Sequence, residues 1–79
     1  MDLYPHHVLE VLSKTYNEYS RKAAYWRQCD HDTWDKHATG ASAVLETIDA
    51  LFSGGKYFFK FETETIGNVT FEWRKMEVL

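Results

Sequence analysis

The chain has 79 residues, of which 16% are aromatic, and a formal net charge of −3 at pH 7. A chain of this length forms one domain with a thin core, because it buries only about 60% of its unfolded surface. The acidic balance and the scattered basic residues argue against direct binding of nucleic acid, and no apolar run approaches the roughly 20 residues of a membrane span.

The first predicted element is a helix from about Pro5 to Cys29. Proline is tolerated in the first turn of a helix, where its fixed φ suits the helix and its missing N–H needs no partner. Apolar residues recur at helical spacing along this segment, which predicts one buried face. They are Val8, Leu12, Tyr19, Ala23 and Trp26, with Leu9, Val11 and Tyr16 beside them.

A second helix is predicted from Asp32, a favourable N-cap residue, to about Ser53. Its apolar residues lie close to heptad spacing, which indicates antiparallel packing against the first helix at a shallow angle; they are Trp34, Ala38, Ala41, Leu45, Ile48 and Phe52. The small residues from Ala38 to Ala43 leave room for a ring of the first helix, from Tyr16, Tyr19 or Trp26. Gly54 is the predicted left-handed C-cap.

Two strands follow, predicted at Lys56–Thr65 and Val69–Val78, with a hairpin turn around Ile66-Gly67-Asn68. A two-residue loop would pair Ile66 with Val69 and mix apolar and charged side chains on both faces. A bulged loop with an odd number of residues would instead gather six side chains on one face: Tyr57, Phe59, Phe61, Val69, Phe71 and Trp73. Because a slip of one residue exchanges the two faces, we predict the bulged register.

The predicted fold is therefore α+β: an antiparallel two-helix hairpin followed by a C-terminal β-hairpin, in one domain over residues 1–79. Two strands alone make a marginal sheet with an open edge on each side. We therefore expect the helices to cover one face and a second copy of the chain to complete a homodimer. The dimer contact would use either the small-residue patch of the second helix or the joined edges of two hairpins.

Histidines and cysteine do not form a recognisable catalytic or metal site. His6 and His7 begin the first helix, and a helix of this length separates them from His31 and His37 by roughly 30 Å. The residues from Cys29 to His37 lack the ligand spacing of zinc sites. The aspartates near Cys29 place negative charge beside its thiol, which opposes nucleophilic reactivity. We expect no metal, no cofactor and no enzymatic activity.

The first functional hypothesis is a non-enzymatic protein-binding module, an inhibitor or adaptor that occludes a larger protein. Acidic strands beside exposed rings would dock on a basic protein surface. The predicted contact residues are Phe58, Glu62, Glu64, Glu72 and Arg74. In length, acidity and aromatic content the chain is similar to the small anti-host-defence proteins of phages, although no segment matches a motif of a named family.

The alternative hypothesis is a homo-oligomer that binds or sequesters a small planar anionic ligand, such as a nucleotide. Rings near the turn between the helices would stack on the ligand, and cations would neutralise its charge. The predicted ligand-binding residues are Tyr25, Trp26, Arg27, Trp34 and Lys36.

We expect a cytoplasmic location for either function. Cys29 is the only cysteine, and a lone cysteine is typical of proteins kept in a reducing compartment. The first residues also lack the charged and then apolar pattern of a signal peptide.

Overall fold

The computed structural model describes residues 4–52 and 54–79. Two helices, α1 (His6–Trp26) and α2 (His31–Leu51), precede two strands, β1 (Tyr57–Ile66) and β2 (Val69–Val78). The strands pair as a two-stranded antiparallel sheet, so the predicted ααββ order and the α+β class are confirmed. Ser53, the predicted end of the second helix, lies outside the described residues.

The turn between the helices lies slightly earlier in the chain than predicted. Helix α1 ends at Trp26 rather than at Cys29, because residues 27–29 form the turn that reverses the chain. Helix α2 begins at His31 with Asp30 at its N-cap, so the predicted N-cap at Asp32 is wrong. The Asp30 carboxylate accepts a hydrogen bond of 2.6 Å from the Thr33 hydroxyl, and this bond lowers the pKa of Asp30.

The left-handed glycine after α2 is Gly55, so the predicted left-handed C-cap at Gly54 is wrong. Gly55 has a φ of +82°, whereas Phe52 ends the helix in extended backbone, with φ −127° and ψ 149°. Because the chain leaves α2 in an extended conformation, the positive φ is needed only later, where the chain turns toward β1.

Helix α1 is the central element of the fold. It packs against α2 and against β2, and in the described part of the chain no Cα atom of α2 lies within 8 Å of a strand Cα atom. The molecule is elongated, with extents of 44 × 22 × 16 Å. The backbone of α2 therefore lies apart from the sheet, and α2 reaches the sheet through side chains, as where the Tyr57 hydroxyl donates to the Asp49 carboxylate.

The core lies where the first half of α1, the second half of α2 and the open end of the hairpin meet. Its buried residues are Leu9, Tyr16, Ile48, Phe52 and Met76. The buried face of α1 differs from the predicted one, since it includes Ser13 whereas Val11 is 59% exposed. Apolar spacing does not reveal this rotation, because the face of α1 that contacts β2 includes the polar residues Asn17 and Ser20.

A ring of α1 packs on the small-residue stretch of α2 at Gly40, and of the three rings predicted for this place it is Tyr19. A Cβ atom added at Gly40 would lie 2.7 Å from two carbons of the Tyr19 ring, well inside the optimal carbon–carbon separation of about 3.5–4.0 Å. The missing side chain at Gly40 thus lets the ring lie directly against the helix backbone. At this position the patch is occupied from within the chain, which disfavours it as a contact for a second copy.

The hairpin adopts the two-residue register, so the predicted bulged register is wrong. Ile66 pairs with Val69, and the pairing continues without a bulge to Tyr57 and Val78. Gly67 has a φ of +60° and Asn68 does not have a positive φ, which is the pattern of a type II′ turn. The twist of this turn type matches that of the strands it joins, and Ile66 consequently belongs to β1.

Rings and charges are found on both faces of the sheet, because cross-strand partners share a face. The face that meets the core, here called the core face, carries Tyr57, Phe59, Phe61, Thr63, Thr65, Thr70, Glu72, Arg74, Met76 and Val78. The opposite face, here called the outer face, carries Phe58, Lys60, Glu62, Glu64, Ile66, Val69, Phe71, Trp73, Lys75 and Glu77.

Helix α1 lies across the edge of β2 and contacts both faces of the sheet. Apolar rings can therefore be buried on either face. On the core face, Arg74 donates a hydrogen bond of 3.0 Å to the Tyr16 hydroxyl and its guanidinium lies 4.1 Å from the Phe59 ring centre. On the outer face, the Tyr25 ring packs edge-on against Phe71, with the ring centres 5.8 Å apart. The predicted register assumed that only one face is buried, whereas α1 buries side chains on both.

We predict that Gly40→Ala will not give the stabilisation of about 1 kcal/mol that alanine normally provides over glycine in a helix. The added methyl group displaces the Tyr19 ring and offsets the gain. In a Tyr19→Ala background, the same substitution should raise the free energy of unfolding by about 1 kcal/mol.

Urea unfolding of the wild type, the two single variants and the double variant measures this coupling. Ser42→Ala, at an exposed position of the same helix, is the matched control and should stabilise both backgrounds equally. Equal gains from Gly40→Ala in the two backgrounds would contradict the packing of Tyr19 on Gly40.

Candidate protein-binding edge

The two edges of the hairpin are formed by alternate residues of each strand. In an antiparallel ladder, residues whose backbone groups point toward the partner strand alternate with residues whose groups point away. The N–H of Leu79 donates to the carbonyl of Lys56 at 2.9 Å, so the even-numbered residues of β1 point toward β2. The odd-numbered residues of β1, from Tyr57 to Thr65, therefore point their backbone groups away from β2. Even-numbered residues of β2 point outward at the opposite edge.

Polar side chains of α1 close the β2 edge. The Asn17 amide nitrogen donates to the Met76 carbonyl at 3.0 Å, and the Asn17 carbonyl oxygen accepts from the Met76 N–H at 2.7 Å. Asn17 thus replaces both backbone bonds that a third strand would make with Met76. Two further side chains donate to β2 carbonyls: Ser20 of α1 to Arg74 at 2.6 Å, and Gln28 of the turn that follows α1 to Thr70 at 3.1 Å.

The β1 edge is open along most of its length. Among residues 4–52 and 54–79, no hydrogen bond reaches the outward backbone groups of β1 between Phe59 and Thr65. Two phenylalanines flank this open edge on opposite faces: Phe61 on the core face is 65% exposed and Phe58 on the outer face is 48% exposed. An unpaired strand edge with exposed rings on both sides is a template for another strand.

Lysine and glutamate alternate on the outer face beside this edge. The Lys60 ammonium lies 3.0 Å from Glu77 and 3.5 Å from Glu62, and the Lys75 ammonium lies 3.4 Å from Glu77 and 3.9 Å from Glu62. Hydrogen bonds from Lys60 and Lys75 lower the pKa of Glu77. The four side chains balance one another, so this part of the outer face is not an acidic surface.

The five residues predicted to contact a partner do not share one face. Phe58, Glu62 and Glu64 lie on the outer face, whereas Glu72 and Arg74 lie on the core face. The Glu64 carboxylate accepts a hydrogen bond of 2.6 Å from Arg21 of α1, which lowers the pKa of Glu64. Glu62 and Glu64 are therefore held within the chain, and a role for the five in binding stays a prediction.

The residues of the alternative ligand site are only partly brought together. Arg27 and Trp34 line a cleft of about 440 Å³ between the end of α1 and β2; its other walls are Ala24, Gln28, Phe71 and Glu72. Tyr25 and Trp26 instead pack on each other, with ring centres 5.2 Å apart. A hydrogen bond with Cys29 raises the pKa of the Tyr25 hydroxyl. Lys36 is exposed and lies outside the cleft.

The residues that close the β2 edge were missed by the sequence analysis. Ser20 follows Asn17 by three residues and Gln28 follows Ser20 by eight, a spacing that places all three on one face of the helix predicted to Cys29. That polar stripe was a usable signal. Apolar periodicity does not reveal such a stripe, because it follows the apolar residues alone.

No family model, no curated protein and no solved structure matches the chain. Among the described residues, no group of three or more histidine, cysteine, aspartate and glutamate side chains is placed to hold a metal ion. Of the helices described, none is both long enough and apolar enough to cross a membrane. Function must consequently be inferred from the geometry of this chain.

We predict that Asn17→Ala destabilises the protein by roughly 1–3 kcal/mol, because it leaves the N–H and the carbonyl of Met76 without partners in a partly buried site. Ser20→Ala removes a single exposed hydrogen bond and should cost less, about 0.5–1 kcal/mol. Urea unfolding measures both losses. Hydrogen exchange at the Met76 amide should accelerate in Asn17→Ala only, and an unchanged rate would contradict the closed edge.

Proposed function

We propose that the protein is a cytoplasmic, non-enzymatic binding module that attaches to an extended segment of a larger protein by adding that segment to β1. By covering the segment, it would act as an inhibitor or adaptor that occludes other contacts of the partner. The observation that supports this proposal is the difference between the two edges. Side chains of α1 occupy the edge of β2, whereas the described residues leave the outward groups from Phe59 to Thr65 open.

Strand addition uses the backbone for affinity and the side chains for specificity. A segment laid along β1 would exchange hydrogen bonds with every second residue, namely those with outward backbone groups. Phe58 and Phe61 lie on opposite faces beside this edge and would cover the added strand from both sides. Aromatic side chains in such positions are typical of binding hot spots.

The charges beside the edge favour a partner segment of mixed charge over the basic surface expected from the sequence. Lys60 and Glu62 are adjacent on the outer face, and opposite charges stabilise cross-strand pairs whereas like charges destabilise them. The best partner strand carries a carboxylate opposite Lys60 and a cation opposite Glu62. The cytoplasmic part of the proposal is supported by the exposed, free thiol of Cys29, which is typical of a reducing compartment.

Thr63→Pro is the direct test of the proposed edge. The N–H of Thr63 points outward and the side chain is exposed, so proline removes a donor for an added strand while it spares the hydrogen bonds to β2. We expect the variant to fold but to bind about ten-fold more weakly, because the interface hydrogen bond donated by the Thr63 N–H is lost.

A partner is first captured from host lysate with the wild type. The purified partner is then titrated with each variant to measure its affinity. Thr63→Ala is the matched control, because it keeps the N–H and should bind as the wild type does. Equal binding by Thr63→Pro would refute the edge. Failure of the wild type to retain any partner would count against the function itself.

A second candidate function, a ligand-binding homo-oligomer, is supported by the cleft that contains Arg27 and Trp34. A planar anion would stack on Trp34 while Arg27 neutralised its charge. A thermal-shift screen of nucleotides should then find a stabilising ligand for the wild type. Arg27→Gln should abolish the shift, and Lys36→Gln, outside the cleft, should preserve it. If no nucleotide stabilises the wild type, this function is refuted.

A further inference from the structure

We infer that the open β1 edge binds a second copy of this chain, forming a symmetric dimer with a four-stranded antiparallel sheet in which Phe61 lies opposite Phe61 of the second copy. The inference rests on the same open edge as the proposed function. When no other protein is bound, a second copy of the chain occupies that edge. The register follows from the direction of the backbone groups and from the order of charges along β1.

Symmetry restricts the possible pairings. A strand that pairs with its own copy about a two-fold axis runs antiparallel to it, and each contact occurs twice. Only the odd-numbered residues of β1 point their backbone groups outward, so odd-numbered residues must pair with odd-numbered residues. Each allowed register is then defined by the residue that lies on the axis.

The charges select one register. With Phe61 on the axis, Lys60 lies opposite Glu62 of the second copy, twice, and no like charges meet. With Lys60 or Glu62 on the axis, that charged residue lies opposite its own copy. With Thr63 on the axis, Glu62 lies opposite Glu64 of the second copy, twice. Like charges directly opposite are destabilising, so the three neighbouring registers are disfavoured.

The length of the pairing favours the same register. An axis at Phe61 pairs the strand from Tyr57 to Thr65, nearly all of β1. An axis at Phe59 would pair only the residues from Tyr57 to Phe61 within the strand. The register centred on Phe61 therefore combines the longest ladder with opposite charges.

Both faces of the sheet gain from this pairing. On the core face, two rings that are each 65% exposed in the single chain would meet at the axis. On the outer face, the ion pairs within each chain, Lys60 with Glu77 and Lys75 with Glu62, would join through the new Lys60–Glu62 contacts. A band of alternating charges would then cross all four strands.

The competing dimer contacts are less accessible. Side chains of α1 and of the turn after it already bind the outward groups of Met76, Arg74 and Thr70 at the β2 edge. The small-residue patch of α2 receives the Tyr19 ring at Gly40. Of the contacts predicted from the sequence, the β1 edge is the one that the described residues leave open.

Two charge reversals test the register. Lys60→Glu alone and Glu62→Lys alone each turn both cross-strand pairs into like charges, and each should weaken self-association by roughly ten-fold or more. An equimolar mixture of the two variants should associate as the wild type does, because each copy supplies the charge that the other lacks. Glu72→Lys, with the same charge change on β2, is the matched control and should dimerise as the wild type does.

Sedimentation equilibrium from about 10 μM to about 1 mM measures the association, since dimer stability depends on concentration. The wild type should reach twice the chain mass of 9.3 kDa. Circular dichroism and thermal unfolding establish that each variant is folded.

The possible results separate this inference from the proposed function. A wild-type monomer throughout the concentration range overturns the dimer, while capture of a partner that Thr63→Pro abolishes would still support the proposed function. A dimer that survives Thr63→Pro places the interface elsewhere and overturns the inference. A dimer that Thr63→Pro disrupts, with no recovery in the mixture of variants, overturns the register.

Discussion

The fold depends on the hydrogen bonds between side chains of α1 and the backbone of β2. A two-stranded sheet is marginal by itself, and a helix has no free backbone groups along its length to offer a strand edge. Side chains must therefore make these bonds, and Asn17 meets both the N–H and the carbonyl of Met76. This contact sets the rotation of α1, which then directs Tyr16 to the core face and Tyr25 to the outer face.

The same contact explains why the hairpin carries apolar side chains on both faces. Because α1 straddles the β2 edge, it buries Met76 on one face and Phe71 on the other. The type II′ turn at Gly67 can therefore keep the two-residue loop that it favours, because the side chains of Met76 and Phe71 are buried although they lie on opposite faces. The charged Arg74 side chain has partners on the core face, since it donates a hydrogen bond to Tyr16 and lies over the Phe59 ring.

Because α1 closes the β2 edge, the β1 edge is the surface of the sheet that is available for binding. The outer face beside β1 has balanced charges, so strand addition with a matched partner is favoured over docking on a uniformly basic surface. The order Lys60, Phe61, Glu62 is complementary to itself in antiparallel pairing. One structural feature thus supports both a partner-binding function and a resting dimer.

Local signals in the sequence were enough to determine the helices, the strands and their order. The apolar spacing that includes Ile48 and Phe52 located α2, and Gly67-Asn68 located the turn. The hairpin register, the rotation of α1 and the open edge were decided only by the tertiary structure. They depend on contacts such as the one between Asn17 and Met76, which are 59 residues apart in the chain. A periodicity within one segment records which residues are apolar, but it does not record which distant backbone groups a polar side chain will bind.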